Sequence, residues 1–122
     1  MRRDELYLLD IVEASDAIRQ FLVGAQRERF VHDELLRSAV LHKLTIIGEA
    51  AARLSAELRE QHAEIEWADV VGFRNLVVHA YFAIEWPIVW VAATQDAPEL
   101  RRQIAEILVR EYPDVAVPHP GE

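Results

Sequence analysis

The feature of this sequence that most constrains its fold is a long apolar stripe in the first half of the chain. Between residues 33 and 54, apolar side chains recur three or four positions apart, at Leu36, Val40, Leu44, Ile47, Ala51 and Leu54. This spacing matches the period of an α-helix and predicts about five turns with one buried face. A helix of this kind requires other helices to cover its apolar face.

Further helices are predicted on both sides of this stripe. Residues 4–23 have helical spacing and are followed by Gly24, which predicts a stop, and the segment AQRERF is interpreted as a linker. A short helix is expected over residues 55–63 and a third main helix over 67–82. Gly48 and the alanines after it have small side chains or none, so another helix backbone can approach the predicted helix 33–54 closely at this point. This predicts tight packing there.

The last helices are predicted from proline and capping signals. Pro87 suits a first helical turn, so residues 87–95 are expected to begin a new helix. Asp96 with Glu99 three positions later is a capping-box pattern, which predicts that another helix starts there. The final segment 113–122 contains three prolines and one glycine and is predicted to be disordered.

These patterns predict an all-α bundle of about five helices in one domain, residues 1–112. The chain has 122 residues, 52% of them hydrophobic, and no alternating strand pattern. Cysteine is absent, which excludes disulfides and cysteine nucleophiles. Without a signal peptide or a span of about eighteen apolar residues, we expect a soluble, cytoplasmic protein with no membrane contact.

The charge balance is acidic, with a formal net charge of −8 from 21 acids and 13 Lys and Arg. This argues against a broad basic surface that binds nucleic acid. Any attraction for RNA must therefore be local.

Arg74 is a charged residue at a position of the third predicted helix where an apolar side chain is expected. On an ideal helix it lies within about 60° of six neighbours, which are Trp67, Val70, Val71, Val77, Val78 and Tyr81. A charged guanidinium in the middle of an apolar stripe needs a carboxylate, carbonyls or an anionic ligand. Glu49 is a candidate carboxylate.

Asn75 and His79 are four residues apart, so their side chains can touch on one flank of an ideal helix. Arg74 and His79 are about 140° apart on that helix and do not share a face. The long side chain of Arg74 can swing part of the way toward His79. Otherwise the helix is distorted near its end, or the two side chains serve one cleft formed by two subunits.

Arg74, Asn75, His79 and Tyr81 together spell Arg-Asn-x-x-x-His-x-Tyr. This resembles the motif of the HEPN ribonucleases and, with its tyrosine, that of the HepT toxins of toxin-antitoxin pairs. The segments IIGEAAARLS, EIEWADVVGFRN and VHAYFAIEWPIVW also resemble HepT segments in the same order. Ala80 departs from the polar or acidic residue that relatives often carry there.

The resemblance implies a HEPN-like homodimer, with higher assemblies possible, that acts as a metal-independent endoribonuclease at a cleft between subunits. It implies that His79 transfers protons, that Arg74 stabilises the phosphorane and that Asn75 orients His79 or holds a phosphate oxygen. It also implies an antitoxin of the MntA-like minimal nucleotidyltransferase type that attaches AMP to Tyr81. Arg37 or Arg53 could add positive charge near the cleft.

Three alternatives to the ribonuclease are considered from sequence, and the first of them, a metal-binding bundle, is not favoured. The five histidines at 32, 42, 62, 79 and 119 lack the Glu-x-x-His partners of a di-iron bundle and are interpreted as isolated surface residues, so neither a metal nor another cofactor is predicted. A non-catalytic HEPN module that binds a nucleotide or a partner protein would fit the acidic charge. An antitoxin or a structural dimer is the third possibility.

Overall fold

The chain folds into helices joined by short turns in the computed structural model, which describes residues 3–77 and 85–119. Within these two ranges no residue lies in a strand, and the predicted all-α class is confirmed. The elements are α1 (Asp4–Phe21), α2 (Arg27–His32), α3 (Glu34–Arg53), α4 (Ala56–Gln61), α5 (Trp67–Val71), a 3-10 turn (Gly72–Asn75), α6 (Trp86–Val91), a π-helical turn (Ala92–Asp96) and α7 (Ala97–Glu111).

Helices α1 and α3 form the centre of the bundle and agree with their predicted bounds. The apolar stripe of α3 is buried, and Val40, Leu44 and Ile47 have no exposed surface. The Leu36 amide donates a 3.0 Å hydrogen bond to the Asp33 side chain, which caps the first turn. After α1, Gly24 has φ of 75°, the left-handed conformation that the predicted stop requires.

The interpretation of AQRERF as a linker is wrong, because residues 27–32 form helix α2. Phe30 in this helix is fully buried and packs against two tryptophans of α6. Its ring centroid lies 6.2 Å from that of Trp86 and 5.3 Å from that of Trp90. Since α2 has only six residues, its sequence shows no repeated apolar spacing, and tertiary packing stabilises it.

The prediction that Asp96 caps a new helix is also wrong. Residues 86–111 follow one helical path, in which Asp96 has helical φ and ψ of −75° and −45° and makes no side-chain cap bond. Pro98 has no amide hydrogen to donate to the carbonyl of Thr94, so an α-helical bond cannot form there. The path widens into a π-helical turn at 92–96 instead. Pro87 does lie in the first turn of α6, as predicted.

The segment after α7 passes beside α1 and α7. Val115 and Val117 are partly buried against the core, and the Pro118 carbonyl accepts a 2.6 Å hydrogen bond from Arg101. A groove of about 740 Å³ lies between α1, α7 and this segment. The domain boundary at residue 112 and the disorder of 113–122 stay predictions, and residues 120–122 lie outside the described ranges.

None of the helices in the two described ranges is long and apolar enough to span a bilayer.

Candidate functional site

Arg74 lies in a 3-10 turn rather than in the middle of a long α-helix. Helix α5 ends at Val71, and the turn covers Gly72–Asn75. In a 3-10 helix the residues i and i+3 lie on the same face. Val70 of α5 and Phe73 of the turn lie on the buried face, with 6% and 8% of their surface exposed, while Arg74 and Asn75 are exposed.

The prediction that Arg74 is buried in an apolar stripe is therefore wrong. Its side chain is 42% exposed. The prediction assumed an α-helix, in which each residue is rotated by about 100° about the axis. A 3-10 turn rotates by about 120° per residue, so the error in the predicted direction of a side chain grows with each residue of the turn. The guanidinium can consequently meet a ligand from solvent without an internal cavity.

Glu49 of α3 is the carboxylate beside Arg74, as the sequence suggested. Glu49 Oε1 lies 3.5 Å from Arg74 Nη1, and the Glu49 side chain is 46% exposed. At this distance and exposure the ion pair is weak. An arginine has five N–H donors, so most of the hydrogen-bonding capacity of Arg74 is not used by this contact.

Gly48 brings the backbone of α3 against the 3-10 turn. A Cβ atom on Gly48 would lie 2.6 Å from the Arg74 amide nitrogen, 3.0 Å from the Val71 carbonyl oxygen and 3.2 Å from the Arg74 Cβ. The tight packing predicted at Gly48 is confirmed, and the backbone that it approaches is that of Arg74. The signal for this approach in the sequence is one glycine in the middle of a strongly periodic helix.

The remaining predicted site residues are only partly described. Asn75 is exposed and follows Arg74 directly in the turn. His79 and Tyr81 lie in the segment 78–84, outside the described residues. Their roles, and the contact between Asn75 and His79, stay predictions.

The two further arginines proposed from sequence differ in their surroundings. Arg37 donates a 2.8 Å hydrogen bond to the Val31 carbonyl, and its guanidinium carbon lies 4.7 Å from the centroid of the Trp86 ring. These contacts hold Arg37 within the bundle. Arg53 is exposed in the last turn of α3, four residues after Glu49 and on the same side of the helix. Arg53 is therefore the better candidate for extra positive charge near Arg74.

A second groove, of about 700 Å³, borders the 3-10 turn and carries acidic side chains. It lies between the turn and α6, and its lining includes Gly72, Phe73, Asp69 and Asp96. Asp96 is exposed, but partial desolvation of its carboxyl raises its pKa, and repulsion from Asp69 raises it further. Arg27 also lines this groove, so one cationic side chain lies among its acidic ones.

The histidines do not form a metal site among the residues that the structure describes. No group of three His, Cys, Asp or Glu side chains in 3–77 and 85–119 could hold a metal ion. The interpretation of His62 as a surface residue is wrong, because it is 8% exposed and its Nε2 lies 2.8 Å from Glu111 Oε2. Its carbonyl also accepts a 3.0 Å hydrogen bond from the Trp67 indole, so His62 joins the segment after α4 to α5 and α7.

Comparison with known proteins supports the family that the motif suggested. The profile of the HepT-like family, described as "Ribonuclease HepT-like", matches residues 11–107. A candidate RNase of Caldanaerobacter subterraneus subsp. tengcongensis is 34% identical over 111 residues, which cover 91% of this chain and 99% of that protein. The "Probable ribonuclease HepT" of Thermococcus cleftensis is 32% identical over 83% of this chain and 92% of its own length. No solved structure matches the chain.

The structure is an all-α bundle in which an exposed arginine, Arg74, lies just after the end of a helix. The chain belongs to the HepT-like ribonuclease family, because the family profile covers most of its length. The resemblance noted in the sequence is thus confirmed at the level of the family.

Proposed function

We propose that this chain is a ribonuclease, and more specifically the toxin of a toxin-antitoxin pair that cleaves RNA without a metal ion. The observation that supports this most directly is Arg74, whose guanidinium is 42% exposed and has only Glu49 as an ion-pair partner within the described residues. Membership of a ribonuclease family makes an RNA phosphate the appropriate ligand for this group. Arg74, Asn75 and His79 are the proposed catalytic residues.

The proposed reaction is a transesterification. His79 accepts the proton of a ribose 2′-hydroxyl, and the 2′-oxygen attacks the adjacent phosphorus. The bond from phosphorus to the 5′-oxygen breaks, and this oxygen takes up a proton, which leaves a 2′,3′-cyclic phosphate and a 5′-hydroxyl. The planar fork of Arg74 donates to the phosphate oxygens as their negative charge grows. Asn75, exposed beside Arg74, offers an amide to the same phosphate or to His79.

The proposed site is a cleft between two copies of the chain. One copy supplies one Arg74 to a surface whose net charge is −8, which repels RNA over most of its area. A homodimer brings two copies of Arg74, and of the exposed Arg53, to one place. Such a cleft concentrates positive charge locally while the outer surface stays acidic.

The proposed antitoxin is an MntA-like minimal nucleotidyltransferase that modifies Tyr81. The tyrosine oxygen attacks the α-phosphorus of ATP and displaces pyrophosphate, which leaves AMP on the side chain. The added phosphate can bond to Arg74 and occupy the position of the RNA phosphate. Modification would therefore inhibit cleavage.

Cleavage of RNA in the presence of EDTA tests the proposed activity. The purified wild-type protein should produce fragments that end in cyclic phosphate, and His79→Ala should produce none. Cleavage by neither protein would overturn the proposal in favour of a non-catalytic binding module, which the acidic charge suits. Equal cleavage by both would identify a contaminating nuclease.

The toxin role is tested in cells. Expression of the wild-type chain alone should arrest growth, and expression of His79→Ala should not. Coexpression of the neighbouring nucleotidyltransferase should restore growth and add the mass of AMP to the peptide that contains Tyr81. Harmless expression of the wild-type chain would contradict the toxin role even if RNA cleavage were observed in vitro.

A further inference from the structure

We infer that Gly48 and Glu49, two consecutive residues of α3, are positioning residues for Arg74. Gly48 sets where the backbone of Arg74 lies, and Glu49 restrains where its guanidinium points. The inference rests on the proposed ribonuclease function, because it assigns these residues a role in presenting Arg74 to an RNA phosphate.

The role of Gly48 follows from distances to backbone atoms. A Cβ on this residue would lie 2.6 Å from the Arg74 amide nitrogen and 3.0 Å from the Val71 carbonyl oxygen. Heavy atoms that are not bonded pack at about 3.5 Å or more, so a methyl group would push the turn away by up to about 1 Å. Backbone atoms cannot rotate aside as the end of a side chain can. Glycine at this position is therefore required for the present location of Arg74.

The role of Glu49 follows from its place next to Gly48. Its carboxylate lies 3.5 Å from Arg74 Nη1, on the same α3 backbone that contacts the Arg74 amide. α3 consequently contacts both ends of this residue, the amide through Gly48 and the guanidinium through Glu49. Because both side chains are close to half exposed, the pair is weak enough for a phosphate with two hydrogen bonds to displace the carboxylate.

Gly72 provides a matched control within the same turn. It is the first residue of the 3-10 turn, with φ of −61° and ψ of −18°, and a Cβ there would meet no atom within 4 Å. Gly72→Ala and Gly48→Ala add the same methyl group near the same turn. They differ in whether that methyl group collides with the backbone of Arg74.

The first measurement is steady-state RNA cleavage by these variants and by Glu49→Gln. Gly48→Ala should reduce kcat by about ten- to a hundredfold, since displacement of a reacting group by about 1 Å has effects of this size. Gly72→Ala should stay within about twofold of wild type, because its methyl group touches nothing. Glu49→Gln should lower kcat by about two- to fivefold and also lower KM, because removal of the carboxylate loosens Arg74 while it reduces repulsion of RNA.

The second measurement reports on Arg74 without RNA. The heteronuclear NOE of the Arg74 Nε–Hε group, measured by NMR on the whole chain, should fall in Gly48→Ala and Glu49→Gln and should not change in Gly72→Ala. If Gly48→Ala does not fold by circular dichroism, Glu49→Gln decides through the fall in its NOE and the decreases in both its kcat and its KM.

The inference is overturned if Gly48→Ala behaves like Gly72→Ala in both measurements, or if Glu49→Gln leaves kcat, KM and the NOE unchanged. Failure of the proposed function has a different signature. If the wild-type protein cleaves no RNA, the ribonuclease proposal fails, and the NOE alone then shows whether Gly48 and Glu49 hold Arg74.

Discussion

Two arginine–carboxylate pairs in this bundle differ in how completely the arginine is bonded. Arg101 donates from Nε to Asp16 Oδ1 at 3.0 Å, and from Nη2 to Asp16 Oδ2 at 3.3 Å and to the Pro118 carbonyl at 2.6 Å. Its side chain is 12% exposed and that of Asp16 is 18% exposed. Arg74 and Glu49 make one 3.5 Å contact at 42% and 46% exposure.

This difference separates an arginine that stabilises the fold from one that is available to a ligand. The fork of Arg101 is matched by a carboxylate and a carbonyl, so it joins α1, α7 and the segment after α7. The fork of Arg74 faces solvent with most of its donors unused by Glu49. Substitutions in the first pair should therefore change stability, and substitutions in the second should change activity.

Arg101→Ala should give the largest loss of stability. It leaves Asp16 without its bidentate partner in a mostly buried position and should cost about 2 to 4 kcal/mol in the free energy of unfolding. Urea denaturation at fixed protein concentration measures this loss. The neighbouring Arg102 is the control, because it bonds to Glu99 and Glu106 at 56% exposure. If Arg102→Ala is as destabilising as Arg101→Ala, the comparison of burial and bonding is wrong.

Arg74→Lys should separate charge from geometry at the site. Lysine keeps the positive charge but cannot donate in a planar fork, so RNA cleavage should fall by about ten- to a hundredfold. Unfolding in urea should match that of wild type, because the contact with Glu49 is weak. Cleavage by Arg74→Lys at the wild-type rate would show that a point charge is sufficient and that no bidentate contact to phosphate is made.

The two carboxylates should differ in the same way as their arginines. Asp16→Asn weakens two hydrogen bonds to a charged group and should cost about 1 to 3 kcal/mol in the free energy of unfolding. Glu49→Gln should change it by less than about 1 kcal/mol. Urea denaturation of both variants in parallel tests this order, and a larger loss for Glu49→Gln would reverse the roles assigned to the two pairs.

The smallest effect is expected at Asp96, the acid in the groove beside the 3-10 turn. Its pKa is raised above 3.8 by partial desolvation of the carboxyl and by Asp69, so the folded state favours the protonated form. Stability from this group is fully present below pH 3.8 and is lost as the pH rises through the folded pKa. Asp96→Asn should thus stabilise the protein slightly at pH 7, and the gain should disappear at about pH 3. Asp114, which lies in the segment after α7 and does not line this groove, is the control. A stabilisation by Asp96→Asn that is independent of pH would contradict this origin.

The parts of the fold that the sequence predicted are those with strong periodicity or a local signal. The stripe of α3 extends over 20 residues, and the stop after α1 depends on one glycine with positive φ, so both were predicted correctly. Helix α2 was missed because its six residues depend on contacts of Phe30 with α6, which are distant in sequence. The sequence did not predict that the helix continues through Asp96, because a capping-box pattern also occurs where a proline forces a π-helical turn.

The candidate site was predictable in its residues and less so in its geometry. Arg74 and its partner Glu49 were both named from sequence, but their exposure was not, because a change from α-helix to 3-10 turn alters the face of each following residue. Gly72, where the change begins, was the available signal. The placement of His79 and Tyr81 stays a prediction, since both lie in 78–84, between the described ranges.

The most direct test of this account is to measure RNA cleavage and urea unfolding on the same preparation of Arg74→Ala. The account predicts that cleavage falls by about a hundred- to a thousandfold, as for loss of one preorganised donor group, while the free energy of unfolding stays within about 1 kcal/mol of wild type. Wild-type cleavage by a folded Arg74→Ala protein, or a loss of cleavage that follows the loss of folded protein, would contradict the claim that Arg74 serves the reaction and not the fold.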